Sequence, residues 1–491
     1  MQNWHDMAAK ISFRNQAFID GKWTDAASGK VFETRNPATD QVLTRIAECD
    51  LEDVNRAVTA ARRAFEAGLW SKAAPEARKE VLLKLAELIR ENQDELALLE
   101  TLDTGKPISN SISADIPGTA ATFQWFAEAI DKVYDEIAPA GPGNLALIRR
   151  EALGVVAAVV PWNYPLMMAS WKLAPALAAG NSVVLKPAEQ TSLTALRLAE
   201  LAAEAGVPDG VLNVVTGMGE TVGQALGRHM DVDCVAFTGS TEVGKYFLRY
   251  SAESNMKPVW LECGGKSPNL VFADCEDLAA AADAAAFGIW YDQGEVCTAN
   301  SRLLVEESIK DRFVELLKAR ARNFQPGDPL DPETTMGAIV EEGQTARILD
   351  YIGKGKSVAR LVEGGEQRSI GGSSNFVTPT IFDGVTNDMV IAQEEIFGPV
   401  LSVMTFRDED EAVRIANASI YGLAASVWSG NISRVMRMAD ALRAGTVSVN
   451  CMDAAGPVVP FGGFKQSGIG RDNSLHALDK YTNLKTVWIK Y

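Results

Sequence analysis

The sequence predicts an α/β protein built on a doubly wound parallel sheet. Three observations predict it. From residue 154 onward, short apolar runs of strand type alternate with stretches of helical length, the rhythm of βαβ units. Glycine-rich turns stand where two of these runs end, at Gly217-Met218-Gly219 and at Gly239-Ser240-Thr241-Glu242-Val243-Gly244. After residue 302 a second segment takes up the same alternation.

The 491 residues leave room for two or three domains and a large core. A formal net charge of -17 argues against a nucleic-acid partner, which demands a basic footprint. The longest apolar run, Leu153 to Pro161, is too short to span a bilayer, so no membrane role is expected. Six cysteines, at 49, 234, 263, 275, 297 and 451, show no paired spacing. That usage, with no basic-then-apolar leader at the N-terminus, predicts a cytoplasmic protein. The three histidines, His5, His229 and His476, form no metal-ligand spacing, and no metal is expected.

Taken in order, residues 18–48 read as short strands and turns, with Asn36-Pro37-Ala38-Thr39-Asp40 as one turn. Amphipathic helices follow over 52–67 and 75–102, closed by Asp103-Thr104-Gly105-Lys106-Pro107. A third helix spans 113–132. Two strand-like arms, Lys132–Ile137 and Leu145–Glu151, flank a proline- and glycine-rich tip and predict a protruding hairpin suited to assembly. The alternating region then gives strands at Val155–Val160, Ser182–Leu185, Leu212–Val215, Val235–Phe237 and Val259–Leu261. Helices near 166–179, 192–205, 220–229 and 242–254 separate them. The second segment gives strands at Arg302–Val305, 376–382, 399–405, 424–428 and 446–449, with helices at 308–322, 409–418 and 431–442. The tail from Tyr481 to Tyr491 reads as a last strand.

Two stretches carry candidate chemistry. Cys297, in Gly294-Glu295-Val296-Cys297-Thr298-Ala299-Asn300, is bracketed by a glycine and small or polar residues, which suits a nucleophilic thiol at a loop tip. A buried structural cysteine is the competing reading. Glu262 follows an apolar strand and meets the Gly264-Gly265 break, where backbone can turn tightly around a ligand. Thiol and carboxylate together suggest a nucleophile and a base. Of the glycine patterns, the one at 217–223 places its third glycine one residue late for a dinucleotide fingerprint. The one at 239–244 opens a helix whose N-terminal amides suit a phosphate. Lys186-Pro187-Ala188-Glu189, after another strand, offers a cation and an acid to a nucleotide ribose.

Seven motifs in register carry a resemblance over essentially the whole chain. They are Trp162-Asn163-Tyr164-Pro165, Lys186-Pro187-Ala188-Glu189, Phe237 to Gly244, Glu262 to Lys266, Gly294 to Cys297, Glu395-Ile396-Phe397-Gly398-Pro399 and Pro460-Phe461-Gly462-Gly463. Together they resemble the NAD(P)-dependent aldehyde dehydrogenase superfamily. Leu99 to Pro107 and Ser474-Leu475-His476-Ala477-Leu478 are similar to its γ-glutamyl-γ-aminobutyraldehyde and ω-aminoaldehyde members. The resemblance implies a Rossmann-like NAD-binding domain (1–131 and 154–262), an α/β catalytic domain (263–472) and a small β oligomerisation domain (132–153 and 473–491). It further implies a homodimer or homotetramer.

By the same resemblance Cys297 attacks the aldehyde, Asn163 holds the oxyanion, Glu262 activates water and Lys172 lies near the proton-relay path. Trp162, Lys186, Glu189, Gly239, Ser240, Gly244, Glu395 and Phe397 are expected to bind the cofactor. That cofactor is NAD, with NADP the weaker alternative because Glu189 repels a 2′-phosphate. Three departures stand out: Glu295 where a glutamine is usual, Asp292 where an asparagine is usual, and Asp472 where many relatives carry a glutamate. Asp115, Tyr164, Trp171, Tyr291, Asp453 and Phe461 are expected around the substrate. Acids beside aromatic walls, Asp292 and Glu295 above all, suit an aldehyde with a cationic far end, while Gly118 and Ala455 leave room for a long chain. An aminoaldehyde of polyamine breakdown is therefore expected, with a broad-specificity aliphatic or aromatic aldehyde dehydrogenase as the alternative. Glu262 speaks against an acylating, coenzyme-A-dependent relative, the absence of a histidine partner against a cysteine hydrolase, and the joint presence of Cys297, Glu262 and Asn163 against a structural protein.

Overall fold

The computed structural model describes residues 3–452 and 456–491. Its first sheet has eight strands. Five form a parallel core in the order Leu212–Val214, Ser182–Lys186, Val155–Val159, Cys234–Gly239 and Val259–Cys263. The chain starts at the middle strand, moves outward on one side, then returns and fills the other. The strand order therefore reverses between Val155–Val159 and Cys234–Gly239. At such a point the connecting loops diverge and leave a crevice beyond the strand ends.

The sequence explains why this sheet is covered on both faces. Val155–Val159 and Ser182–Lys186 are buried at every position. Alternate residues serve different cores: Val156, Ala158, Val183 and Leu185 pack with the helices Pro75–Glu91, Ile116–Ala129, Pro165–Ala178 and Leu193–Ala205. Val155, Ala157, Val159 and Val184 pack with Leu51–Ala67 and Phe247 of Thr241–Ala252. Continuous apolar strands are what a doubly covered parallel sheet requires.

A second sheet of seven strands contains Arg302–Glu306, Val400–Phe406, Pro268–Val271 and Ala424–Trp428, parallel to one another, with Arg360–Glu363 as an antiparallel edge. A third, three-stranded sheet pairs Asn144–Ala152 with Glu136–Ala138 on one side and Thr482–Lys490 on the other. A short strand, Gly468–Ile469, adds to the edge of the first sheet beside Glu262. No helix among the described residues is long and apolar enough to cross a membrane.

The structure departs from the sequence expectations in places with clear causes. The helix expected over 75–102 is two, Pro75–Glu91 and Gln93–Thr104. Asn92 breaks it: its side-chain amide donates to the Leu88 carbonyl, competing with the backbone, and its oxygen accepts from Arg197. The strand expected over 376–382 divides at Pro379 into Ser373–Val377, in a separate hairpin, and Thr380–Asp383, in the seven-stranded sheet. The helix expected from 113 begins five residues earlier, at Ile108, and runs through a π turn at Ser111–Asp115. Several elements were not expected, among them the strand Pro268–Val271 and the helix Glu342–Val358.

Candidate active site

A cavity of about 480 Å³ opens where the strand order of the first sheet reverses. Trp162 and Asn163, following one strand of that pair, and Gly239 and Ser240, ending the other, line it. Glu262 reaches it from the next strand, and Val296, Cys297 and Thr298 close it from the far side.

Cys297 is held by a backbone that few sequences tolerate. The helix Leu278–Trp290 ends in a turn where Asp292, Gln293 and Gly294 adopt φ of 45°, 56° and 73°. Left-handed non-glycine residues cost about 1–3 kcal/mol each and persist only when their surroundings impose them. Here Gln293 exchanges hydrogen bonds with the 337–338 backbone, donating to the Ala338 carbonyl and accepting from the Gly337 amide. A Cβ on Gly294 would stand 2.4 Å from the Gly398 carbonyl oxygen, so glycine alone fits. Half-buried Cys297 follows three residues later. Asn163 donates from Nδ2 to the Glu295 carbonyl at 2.8 Å, which pins its amide beside this loop.

Glu262 is buried, and its Oε1 has no hydrogen-bond partner among the described residues. Burial, then the nearby Asp472, raise its carboxyl to about 8, against the pull of Lys172, Lys480 and Arg471. The Gly264-Gly265 break has a steric cause. A Cβ on Gly264 would fall 2.0 Å from Glu395 Oε2, and one on Gly265 would fall 2.7 Å from the Cys297 carbonyl oxygen. The Gly265 amide donates to Glu395 Oε1 at 2.9 Å, and burial raises that carboxyl to about 7. Thiol, amide and two carboxyls are thus assembled on one cavity by two glycine-dependent turns.

One model of a protein family, that of the aldehyde dehydrogenase family, matches residues 23–487. The chain belongs to the aldehyde dehydrogenase family. It is 54% identical over 486 residues to the NADP/NAD-dependent aldehyde dehydrogenase PuuC of Escherichia coli, covering 99% of this chain and 98% of that one. It matches the crystal structure of γ-glutamyl-γ-aminobutyraldehyde dehydrogenase from Burkholderia cenocepacia with a TM-score of 0.98 and 56% identity over 99% of both chains. The AldA indole-3-acetaldehyde dehydrogenase of P. syringae, a mutant in complex with NAD+ and IAA, matches with the same TM-score, identity and coverage. The protein is an oxidoreductase acting on aldehydes.

The dehydrogenase offers a dinucleotide a consistent set of groups. Thr238 Oγ1, like Glu262 Oε1, is buried without a partner among the described residues, and both residues line the cavity. Ser240 caps the helix Thr241–Ala252, accepting from the Val243 amide, and so presents the helix N-terminus at the cavity edge. Gly244 lies behind, where a Cβ would stand 3.0 Å from Cys263 Sγ; its role is close packing of that helix on the sheet. Trp162 and Phe397 meet edge to face, centroids 5.2 Å apart, and both line the cavity. Lys186 and Glu189 form an ion pair at 2.7 Å beyond the cavity lining, with Lys186 buried and Glu189 partly exposed. The glycines at 217–223 lie outside the lining. Gln344 and Arg347, on the unexpected helix, line it and donate to the carbonyls of Phe397 and Glu395. Nothing in the sequence reading pointed to them.

The substrate half is more apolar than expected. Trp171 and Phe461 pack with centroids 4.9 Å apart, Tyr291 lies against Phe287 at 4.6 Å, and Tyr164 joins them on the wall. The acids lie elsewhere. Asp115 is fully buried and bound to Lys106 at 2.7 Å, so it does not line the cavity as expected. Asp292 accepts from Asn110 and stands 3.6 Å from Lys106. Glu295 is buried, accepts from the Val340 amide at 3.3 Å, and burial pushes its carboxyl far above the usual range. The Lys106 ammonium lies 3.8 Å from the Tyr164 ring centroid. Gly118 leaves no open space either: a Cβ there would stand 3.1 Å from the Met167 methyl. Asp453 and Ala455 lie outside the described residues. Lys172 is buried behind the cavity and paired with Asp472, which also binds Lys480.

Proposed function

We propose that this dehydrogenase oxidises an aldehyde to a carboxylate with NAD as acceptor, and that an aminoaldehyde of polyamine breakdown is its substrate. The observation that carries the reaction is the convergence on one cavity of Cys297, Asn163 and Glu262, whose Oε1 has no partner among the described residues. The Cys297 thiolate adds to the carbonyl carbon while its own N–H and the Asn163 amide face the developing oxyanion. Each such donor is worth about 3–4 kcal/mol in a dry site. Bound NAD supplies the acceptor for the hydride that leaves the same carbon. Glu262 then takes a proton from water, which hydrolyses the thioester on Cys297 and returns the thiolate.

Trp162, Gly239, Ser240, Glu395 and Phe397 would hold the cofactor, with Lys186 and Glu189 toward its ribose. Glu189 favours NAD over NADP; its exposure and its ion pair with Lys186 make the preference partial, in line with the NADP/NAD-dependent relative. Cys297→Ala is expected to abolish NADH formation with NAD binding retained, and Glu262→Gln to give one burst of NADH and little turnover. Steady turnover in Cys297→Ala would end this reading.

The substrate rests on the likeness to PuuC and to the γ-glutamyl-γ-aminobutyraldehyde dehydrogenase. With Asp115, Asp292 and Glu295 withdrawn, a cationic end is met by the faces of Trp171, Tyr291 and Phe461, worth roughly 0.5–2 kcal/mol per cation–π contact. The aromatic wall also favours a second reading, an aromatic or broad-range aldehyde dehydrogenase, in keeping with the indole-3-acetaldehyde relative. Values of kcat/KM for 4-aminobutyraldehyde, its γ-glutamyl and guanidino analogues, pentanal and indole-3-acetaldehyde separate the two. If pentanal or the indole compound matches the polyamine aldehydes, the second reading stands.

Strand membership supports the three-domain division at 1–131 with 154–262, 263–472, and 132–153 with 473–491, apart from the short strand at 468–469. Ile137, Leu484 and Trp488 are exposed on the three-stranded sheet, which supports a homodimer or homotetramer joined there. Six cysteines scattered without paired spacing suit the cytoplasm.

A further inference from the structure

Asp472 is gripped from two sides. The Lys172 ammonium bonds to its Oδ2 and the Lys480 ammonium to its Oδ1, and all three side chains are buried. The backbone of Asp472 exchanges both hydrogen bonds with Phe461, a cavity residue, at 2.7 and 2.8 Å. Glu262 is the third party: its strand pairs with Gly468, and its carboxyl feels Asp472, Lys172, Lys480 and Arg471. Cys234, Cys263 and Tyr481, also near Lys480 or Glu262, are all pushed up by burial and neutral at physiological pH. Cys297 shares the cavity with Glu262, and Asp479, next to Lys480, is exposed and paired with Arg150.

Lys480 is itself fixed relative to the base. Its carbonyl accepts from Trp260 Nε1 at 3.0 Å, and Trp260 lies two residues before Glu262 on the same strand. Aspartate is one methylene shorter than the glutamate many relatives carry, so it needs partners brought to it. The turn Leu475–Lys480 brings one. Without Lys480 the two carboxylates would share one lysine, with Arg471 the weaker remaining cation, and ionisation of Glu262 in a dry site would cost more.

We propose that Lys480 is a positioning residue for the hydrolytic step: it holds Asp472 in place opposite Lys172 and supplies the second positive charge that lets Glu262 ionise. This rests on Glu262 being the water-activating base. The test is kcat against pH for the NAD-saturated enzyme, with stopped-flow measurement of the first NADH turnover.

In Lys480→Met the acid limb of kcat should move up by about 1 in pH, the scale of losing one nearby opposite charge. The initial burst should keep its amplitude, and Lys480→Arg should restore the limb. Asp472→Asn, which removes the competing carboxylate, should move the limb down, and it keeps the proposal testable if Lys480→Met fails to fold. An unmoved limb in Lys480→Met with only a lower Tm would make Lys480 purely structural and overturn the proposal. Loss of the burst would place Lys480 in the thiol step and overturn it too. If Glu262→Gln keeps the wild-type limb, the reading of Glu262 itself fails, an outcome distinct from both.

Discussion

At the scale of single residues, the acids beside the nucleophile serve the loop rather than the substrate. Lys106 binds Asp115 at 2.7 Å and Asp292 at 3.6 Å, and Asp292 is one of the left-handed residues that shape the Cys297 turn. Lys106→Met would leave two carboxylates buried without their cation, so a loss of about 3–5 kcal/mol is expected by chemical denaturation. Glu295→Gln keeps the acceptor for the Val340 amide and removes a carboxyl whose ionisation burial opposes. It should leave the preference between 4-aminobutyraldehyde and pentanal unchanged; a shift toward pentanal of tenfold would put Glu295 back at the substrate. The sequence made Cys297 and Glu262 readable because one is bracketed by a glycine and small residues and the other ends an apolar run before a glycine pair, whereas Asn163 was readable only through the family resemblance. It placed Asp292 and Glu295 near the nucleophile but could not show where their side chains turn. That direction is set by Lys106, Asn110 and Val340, distant in the chain.

At the scale of elements, the parallel core strands were legible because their residues are apolar at successive positions and bounded by turns. The helix Glu342–Val358 was not. It is largely polar, and it contains Gly343, Gly353 and Gly355, which read as breaks. Gly355 has a tertiary reason: a Cβ there would stand 2.6 Å from the Phe382 ring. The cost of missing it was Gln344 and Arg347, which hold the backbone of the loop carrying Glu395 and Phe397. The Gly264-Gly265 turn presses on the same loop from the other side. In Gly264→Ala the new methyl would meet the end of the Glu395 side chain, which can swing away, so the fold should survive. The Gly265–Glu395 hydrogen bond would be lost; one to a charged group is worth roughly 1.5–3 kcal/mol, and KM for NAD should rise about tenfold or more. An unchanged KM with an intact Tm would show that Glu395 does not contribute to cofactor binding.

At the scale of the whole molecule, buried carboxyls give stability an unusual dependence on pH. Burial raises Glu100 and Glu262 to about 8, and Asp103, Asp115 and Glu395 to about 7, from ordinary values of 4.5 and 3.8. Over the interval between the ordinary and raised values the native state keeps protons that the unfolded chain has released. Stability therefore falls as pH rises through it, by about 1.4 kcal/mol per pH unit for each proton held. The lowered surface acids, Asp131 and Glu409 at about 2, have completed their stabilising contribution below pH 5. His229, lowered by burial, acts in the opposite sense near pH 6.5, but it is one group against five. The sign changes only above about pH 8: burial lowers Lys266 to about 7 and Lys257 to about 8, but up to about pH 8 the native protons on Glu100 and Glu262 outnumber the extra one on the unfolded chain's Lys266. The unfolding midpoint, measured at fixed protein concentration, is accordingly expected to drop between about pH 5 and 8, less steeply above about pH 7, and then to level. Glu100, with both carboxyl oxygens buried and unpartnered among the described residues, should be a large single contributor, so Glu100→Gln should flatten the drop. A midpoint that climbs steadily from pH 5 to 7 would mean that these carboxyls ionise in the native state as they do in water, and that water or a counter-charge reaches them.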